Sequence, residues 1–243
     1  MLEVVAASAA DDPLTSVMGV IQVVLEYVGT IAFAISGAVA AGRKRMDLVG
    51  VVVLACLVAV GGGTLRDVLV GNLPVFWVRN PTYLLVAILT AIAVVALTRT
   101  RALDVLQRFH VIQVSDAAGM AVFVVTGTNV ALAAGASDIS AAIIGVLSGV
   151  GGGIIRDILA DEVPDVLRSG QFYATAALAG AAVYVGLLAL DVDPLLVFWI
   201  PIVLILVIRL VSLRFGWGVP TFSYGAPDDG AGPVGGAERG GSG

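Results

Sequence analysis

Arg66 and Asp67 close a heptapeptide, Gly61 to Asp67, that reads GGGTLRD, and ninety positions later Gly151 to Asp157 reads GGGIIRD, with Arg156 and Asp157 at the matching places. Both copies stand near the end of a long apolar run. An arginine or aspartate at the centre of a membrane helix costs about 2.5 to 3.5 kcal/mol. Ionisable residues in such positions face the bundle interior or a watery cavity and mark ion or substrate paths. The same offset aligns Glu26 with Asp116 and Ser36 with Thr126, adding a carboxylate and a hydroxyl to each copy. The chemistry these side chains offer is the holding, screening or passing of an ion.

The triplets Gly61, Gly62, Gly63 and Gly151, Gly152, Gly153 weaken a helix by about 1 kcal/mol per glycine relative to alanine, so each needs a compensating use. Two uses are open. Small residues let membrane helices approach closely, and a hinge or unwound turn would free carbonyls to line a watery path. Residues at i and i+1 do not face each other on a helix. Arg66 and Asp67 are therefore expected to find different partners, Glu26 for Arg66 and, in the second copy, Asp116 for Arg156. Glu26, Gly29, Phe33, Ser36 and Gly37 share one helical face, as do Asp116, Gly119, Phe123, Thr126 and Gly127, and both faces are expected to look inward. Ser36 and Thr126 serve either helix packing or a passing cation.

The elements that must position these groups are membrane helices. Hydrophobic residues make up 59% of the 243 residues and charged residues 13%, with mean hydropathy +1.03, outside the range of soluble domains. Apolar stretches near 17–42, 48–70, 81–98, 110–134, 139–160, 171–190 and 194–213 give seven expected spans of about 20 residues. Spans of that length are helices, because lipid leaves backbone groups no other partner. The expected fold is an all-α membrane protein of two three-helix repeats, 17–98 and 107–190, plus a seventh helix at 194–213. An odd number of crossings per repeat turns the second copy upside down relative to the first.

Of thirteen Lys and Arg residues, Arg43, Lys44, Arg45, Arg99, Arg101, Arg108, Arg168, Arg209, Arg214 and Arg239 fall on one side of this topology. The positive-inside rule then places the N-terminus outside and the C-terminus in the cytoplasm of a multi-pass plasma-membrane protein. Residues 1–16 read as a short outside tail and 225–243 as a disordered cytoplasmic one. Phe198, Trp199, Phe215 and Trp217 are expected to anchor the ends of the seventh helix at the headgroups. The run from Arg43 to Arg45 suits anionic membrane lipids as well as topology.

Other chemistries find little support. Cys56 is the single cysteine, His110 the single histidine, and no carboxylate cluster has metal-ligand spacing. GGGTLRD lacks the GK[ST] ending of a nucleotide loop. No enzyme activity, cofactor or nucleic-acid partner is expected, and the net charge of −5 arises mainly from tails and short loops.

The doubled GGG-x-x-R-D signature within a three-plus-three-plus-one arrangement resembles the prokaryotic trimeric intracellular cation channels, over about residues 17 to 213. The resemblance implies a homotrimer with a pore in each protomer, between the inverted repeats, passing potassium and sodium passively. It implies that the second and fifth helices kink at their glycines. It also implies that Gly61, Gly62, Gly63, Arg66 and Asp67, with Gly151, Gly152, Gly153, Arg156 and Asp157, line and gate the pore. The alternative is a secondary carrier for a small amino acid such as glycine, since inverted repeats and broken helices suit alternating access equally.

Overall fold

The structure, a computed structural model, describes residues 13–98, 110–167 and 172–217. Most of the two expected tails, with Arg99, Arg101, Arg108, Arg168 and Arg239, lies outside those residues. Every regular element among the described residues is helical: α1 (Pro13–Arg43), α2 (Leu48–Leu69), α3 (Thr82–Thr98), α4 (Val111–Ala133), α5 (Asp138–Leu159), α6 (Ala174–Ala189) and α7 (Pro194–Phe215). A one-turn helix, Phe76–Arg79, precedes α3, and a 3-10 turn, Asp165–Leu167, precedes α6.

Helix starts follow local chemistry. Asp47 Oδ1 accepts the Gly50 amide at 2.7 Å to cap α2, and its repeat counterpart Ser137 caps α5 through the Ser140 amide. Asp193 caps α7, with Pro194 in the first turn where its missing donor costs nothing. Helix α1 starts four residues earlier than the expected span, so 13–16 is helix rather than tail.

Five helices, α1, α2, α4, α5 and α7, are long and apolar enough to cross a membrane. The third helix of each repeat is shorter than expected, at 17 residues for α3 and 16 for α6. At 1.5 Å per residue each spans only about 25 Å. The cause lies in the chain ahead of them. Pro81 precedes the first turn of α3, and the Phe172 amide, which the apolar run had placed in a helix, is bonded to Ser212 Oγ of α7 at 2.9 Å.

The two repeats are inverted. Lys44, in the α1–α2 loop, pairs with Glu162 in the α5–α6 loop at 3.0 Å. Gln22, early in α1, accepts from Asn129, late in α4, at 2.7 Å. The α1–α2 loop thus shares an end of the bundle with the α5–α6 loop rather than with its own counterpart, the α4–α5 loop. Helices α1, α2, α4 and α5 make the centre, and α7 lies outside the repeat against α6 and α4.

Candidate functional site

The inward faces are as the spacing predicts. Phe33 and Phe123 stack with centroids 5.5 Å apart, both fully buried. Each ring fills the notch left by a glycine of the other repeat. A methyl group on Gly29 would sit 2.9 Å from Phe123, and one on Gly119 would sit 2.6 Å from Phe33.

The arginines find the partners that topology assigned them. Arg66 Nη1 donates to Glu26 Oε1 at 3.0 Å, and Arg156 Nη1 donates to Asp116 Oδ1 at 2.6 Å. All four side chains are buried. Because the repeats are inverted, the two clusters lie at opposite ends of the bundle, Arg66 near the α2–α3 loop and Arg156 near the α5–α6 loop.

The expectation that neighbouring Arg and Asp cannot meet is overturned. Arg66 Nε reaches Asp67 Oδ1 at 2.9 Å, and Arg156 Nε reaches Asp157 Oδ1 at 2.8 Å. The 100° turn between adjacent residues separates their Cβ atoms, but the long arginine stem curls back across it. The second aspartate oxygen holds the chain that follows the helix. Asp67 Oδ2 accepts the Phe76 amide at 2.6 Å, and Asp157 Oδ2 accepts the Asp165 amide at 2.8 Å. Each Arg-Asp pair therefore joins a buried ion pair to the turn that leads into the third helix.

The glycine triplets are not unwound. Helices α2 and α5 run unbroken through Gly61–Gly63 and Gly151–Gly153, so no freed carbonyls arise there and Arg66 and Asp67 lie within the last turns of α2. Close approach is what the glycines provide. A methyl on Gly62 would strike the Ser148 carbonyl oxygen of α5, and one on Gly152 would stand 2.7 Å from the Val58 oxygen of α2. The third glycine of each triplet makes room for its cluster: Gly63 faces the Phe76 ring, and Gly153 faces Tyr173 and Asp116.

The hydroxyls divide. Thr126 Oγ1 donates to the Val122 oxygen of its own helix at 3.0 Å, a packing role. Ser36 Oγ accepts from Arg156 Nη1 at 2.7 Å and donates to the Ile112 oxygen at 3.3 Å, tying α1 into the second cluster. Sequence reasoning gave no role to Tyr83, whose hydroxyl donates to Glu26 Oε2 at 3.0 Å. It also passed over Asn129, which accepts from the Tyr184 hydroxyl at 2.9 Å while donating to Gln22. Arg209, counted as a cytoplasmic-side charge, is fully buried with its guanidinium 4.3 Å from the Tyr173 ring centroid. Of the four aromatics expected at the ends of α7, Phe198 is instead buried against Tyr184.

Among the described residues, two of the cavities lie at opposite ends of the bundle and are repeat counterparts. One, of about 80 Å³, is lined by Arg43, Lys44, Arg156, Asp157, Glu162 and Asp165 among others. The other, of about 330 Å³, is lined by Gln22, Asn72, Asn129, Val130, Ala133 and Ala134 with the α2–α3 turn. Val130, Ala133, Ala134 and Asn72 are the counterparts of Ala40, Arg43, Lys44 and Glu162. One mouth is therefore charged, while its twin presents amides and aliphatic groups.

A family described as Glycine transporter matches the chain twice, at residues 23–99 and 113–189, one match per repeat. Among solved structures, the trimeric intracellular cation channel orthologue from Rhodobacter sphaeroides superposes with a TM-score of 0.76 at 36% identity, covering 81% of this chain and 98% of that one. The chain belongs to the prokaryotic trimeric intracellular cation (TRIC) channel family. A prokaryotic TRIC channel crystallised in 0.5 M KCl is similar at a TM-score of 0.75 and 30% identity, over 82% of this chain and 99% of that one. The inner membrane protein YadS of Escherichia coli (strain K12) is 44% identical over 82% of this chain and 95% of its own length. The TRIC relationship thus covers about four-fifths of this chain.

Proposed function

We propose that this chain is a passive monovalent-cation channel, carrying potassium and sodium through a pore within each protomer of a homotrimer, between the inverted repeats. The observation that carries the reading is the pair of buried Arg-carboxylate clusters at opposite ends of a glycine-lined crossing of α2 and α5. The solved TRIC structures support it, since they are cation channels and the Rhodobacter sphaeroides orthologue is a trimeric one. A guanidinium beside an ion path repels cations unless carboxylates neutralise it. Here Glu26 and Asp67 flank Arg66, and Asp116 and Asp157 flank Arg156.

In this reading the arginines are gate elements. The stacked Phe33 and Phe123 rings and the tight α2–α5 crossing close the middle of the path. Opening slides or bends α2 and α5 at their glycine triplets and breaks the arginine contacts that hold the shut state. The N-terminus faces outside and the C-terminus the cytoplasm. The chemistry is transport rather than catalysis, with no cofactor.

Purified protein in a planar bilayer under asymmetric potassium chloride tests this. Discrete unitary currents reversing near the potassium equilibrium potential are expected. Saturable glycine flux coupled to an ion gradient, without unitary currents, would replace the channel with a carrier.

A further inference from the structure

We propose that Glu162, by pairing with Lys44 across the two repeats, is the residue that keeps the charged mouth permissive to cations. The inference rests on the channel reading above and adds to it a determinant of ion admission at one end of the path. Lys44 Nζ and Glu162 Oε1 are 3.0 Å apart, and both residues line the charged cavity. The pair joins the α1–α2 loop of the first repeat to the α5–α6 loop of the second, beside the cavity that Arg156 and Asp157 also line.

Charged side chains of both signs line this mouth, and Asp116 behind them also pairs with Arg156. Arg43, Lys44 and Arg156 stand against Asp157, Glu162 and Asp165. Asp157 is committed to Arg156 and to the Asp165 amide rather than to Lys44. Glu162 is the carboxylate placed on Lys44. Without it the ammonium would lose its 3.0 Å partner at the cavity rim, and a unit charge about 7 Å from an incoming cation in water changes the cation's local concentration roughly two- to threefold.

The twin mouth is the internal control. The counterparts of Lys44 and Glu162 are Ala134 and Asn72, and neither carries charge. The two copies keep a cavity at corresponding places, one with the pair and one without it. The Lys-Glu pair therefore belongs to one end of the pathway, the end where α7 also finishes, beside Phe172.

The test is single-channel recording in potassium chloride, with a C-terminal tag reporting which mouth faces which chamber. Glu162→Gln should lower the current carried by potassium arriving at the charged mouth about two- to threefold. Lys44→Gln should raise it, and Asn72→Asp should raise the current arriving at the other mouth. Near 1 M salt, where screening reaches ~3 Å, all three effects should shrink. The reversed pair, Lys44→Glu with Glu162→Lys, restores the balance and should return the wild-type ratio, which separates charge from folding damage. Ratios unmoved by Glu162→Gln and Lys44→Gln, or moved in the same direction by both, would overturn the proposal while leaving the channel intact. Wild-type protein without unitary currents would remove the channel reading and this inference together.

Discussion

Arg156 Nη1 lies 2.7 Å from Ser36 Oγ, and this bond is the point at which the pseudo-symmetry of the two clusters ends. By the repeat, Thr126 should do for Arg66 what Ser36 does for Arg156, yet Thr126 bonds its own helix. The first cluster is built from α1, α2 and α3, all of one repeat. The second takes Asp116, Arg156 and Asp157 from its own repeat and Ser36 from the other, so of the two clusters it is the one that reaches across the repeats.

Ser36→Ala should therefore cost more than Thr126→Ala. Hydrogen bonds to charged groups contribute about 1.5 to 3 kcal/mol, while a hydroxyl bonded to the backbone of its own helix contributes about 1 kcal/mol or less. Thermal unfolding of the two variants in the same detergent checks the order. Equal shifts would mean that Ser36 only packs.

Removing one partner of a buried ion pair strands the other charge, at about 3 to 5 kcal/mol. Arg66→Ala should reach that range, and Glu26→Gln with Arg66→Met should recover part of the loss, because it removes the stranded charge of Glu26 and leaves only that of Asp67. A simple exchange, Glu26→Arg with Arg66→Glu, should not recover it. The new carboxylate at position 66 would sit beside Asp67, whose Oδ1 now accepts from Arg66 Nε at 2.9 Å. A double-mutant cycle on denaturation midpoints reads these outcomes directly.

Much of this architecture was legible in the sequence because duplication writes the same constraint twice. The offset aligning Arg66 with Arg156 and Glu26 with Asp116 led to both ion pairs, and the odd helix count led to the inversion that the Lys44–Glu162 contact displays. What stayed hidden depended on side-chain reach and depth. The curl of Arg66 onto Asp67 is a property of a flexible stem, and helical periodicity carries no trace of it. Arg209 looked like one more cytoplasmic-side charge because its burial depends on Tyr173, a residue of the other element against which α7 packs. Hinge and contact glycines read alike in sequence, and only the position of Ser148 against Gly62 separates them.

Gly62→Ala and Gly152→Ala should each disturb the α2–α5 crossing, since the added methyl meets a backbone carbonyl that cannot swing aside. Overpacking of this kind costs typically about 1 to 3 kcal/mol. Gly19→Ala and Gly42→Ala supply the comparison, because nothing lies within 4 Å of a methyl at either position. In those two the alanine gains helix propensity, and melting temperatures should hold or rise. Similar losses at all four sites would argue against the crossing as the reason for the triplets.

Arg209 ties α7 to the second cluster through the Tyr173 ring, at 4.3 Å from the centroid. A desolvated cation over an aromatic face is worth about 2 kcal/mol. Tyr173→Phe keeps that face and Tyr173→Leu removes it, so the leucine variant should be less stable by about that amount. If the two variants melt together, the ring contributes only volume.

Arg156→Ala and Arg66→Ala should also differ in gating. Loss of Arg156 removes one of the two bonds that tie Ser36 to the second repeat, the other being to the Ile112 oxygen, whereas loss of Arg66 releases contacts within the first repeat alone. The open-to-closed ratio in bilayer recordings should therefore shift more in Arg156→Ala. A bond worth about 1.5 to 3 kcal/mol in the shut state corresponds to roughly a ten- to hundredfold change in that ratio if it is broken on opening. Ser36→Ala should reproduce most of the shift without removing any charge, which separates the mechanical link from the electrostatic one. Unaltered gating in both arginine variants would leave the duplicated motif as scaffolding and move the gate elsewhere, to the Phe33–Phe123 stack.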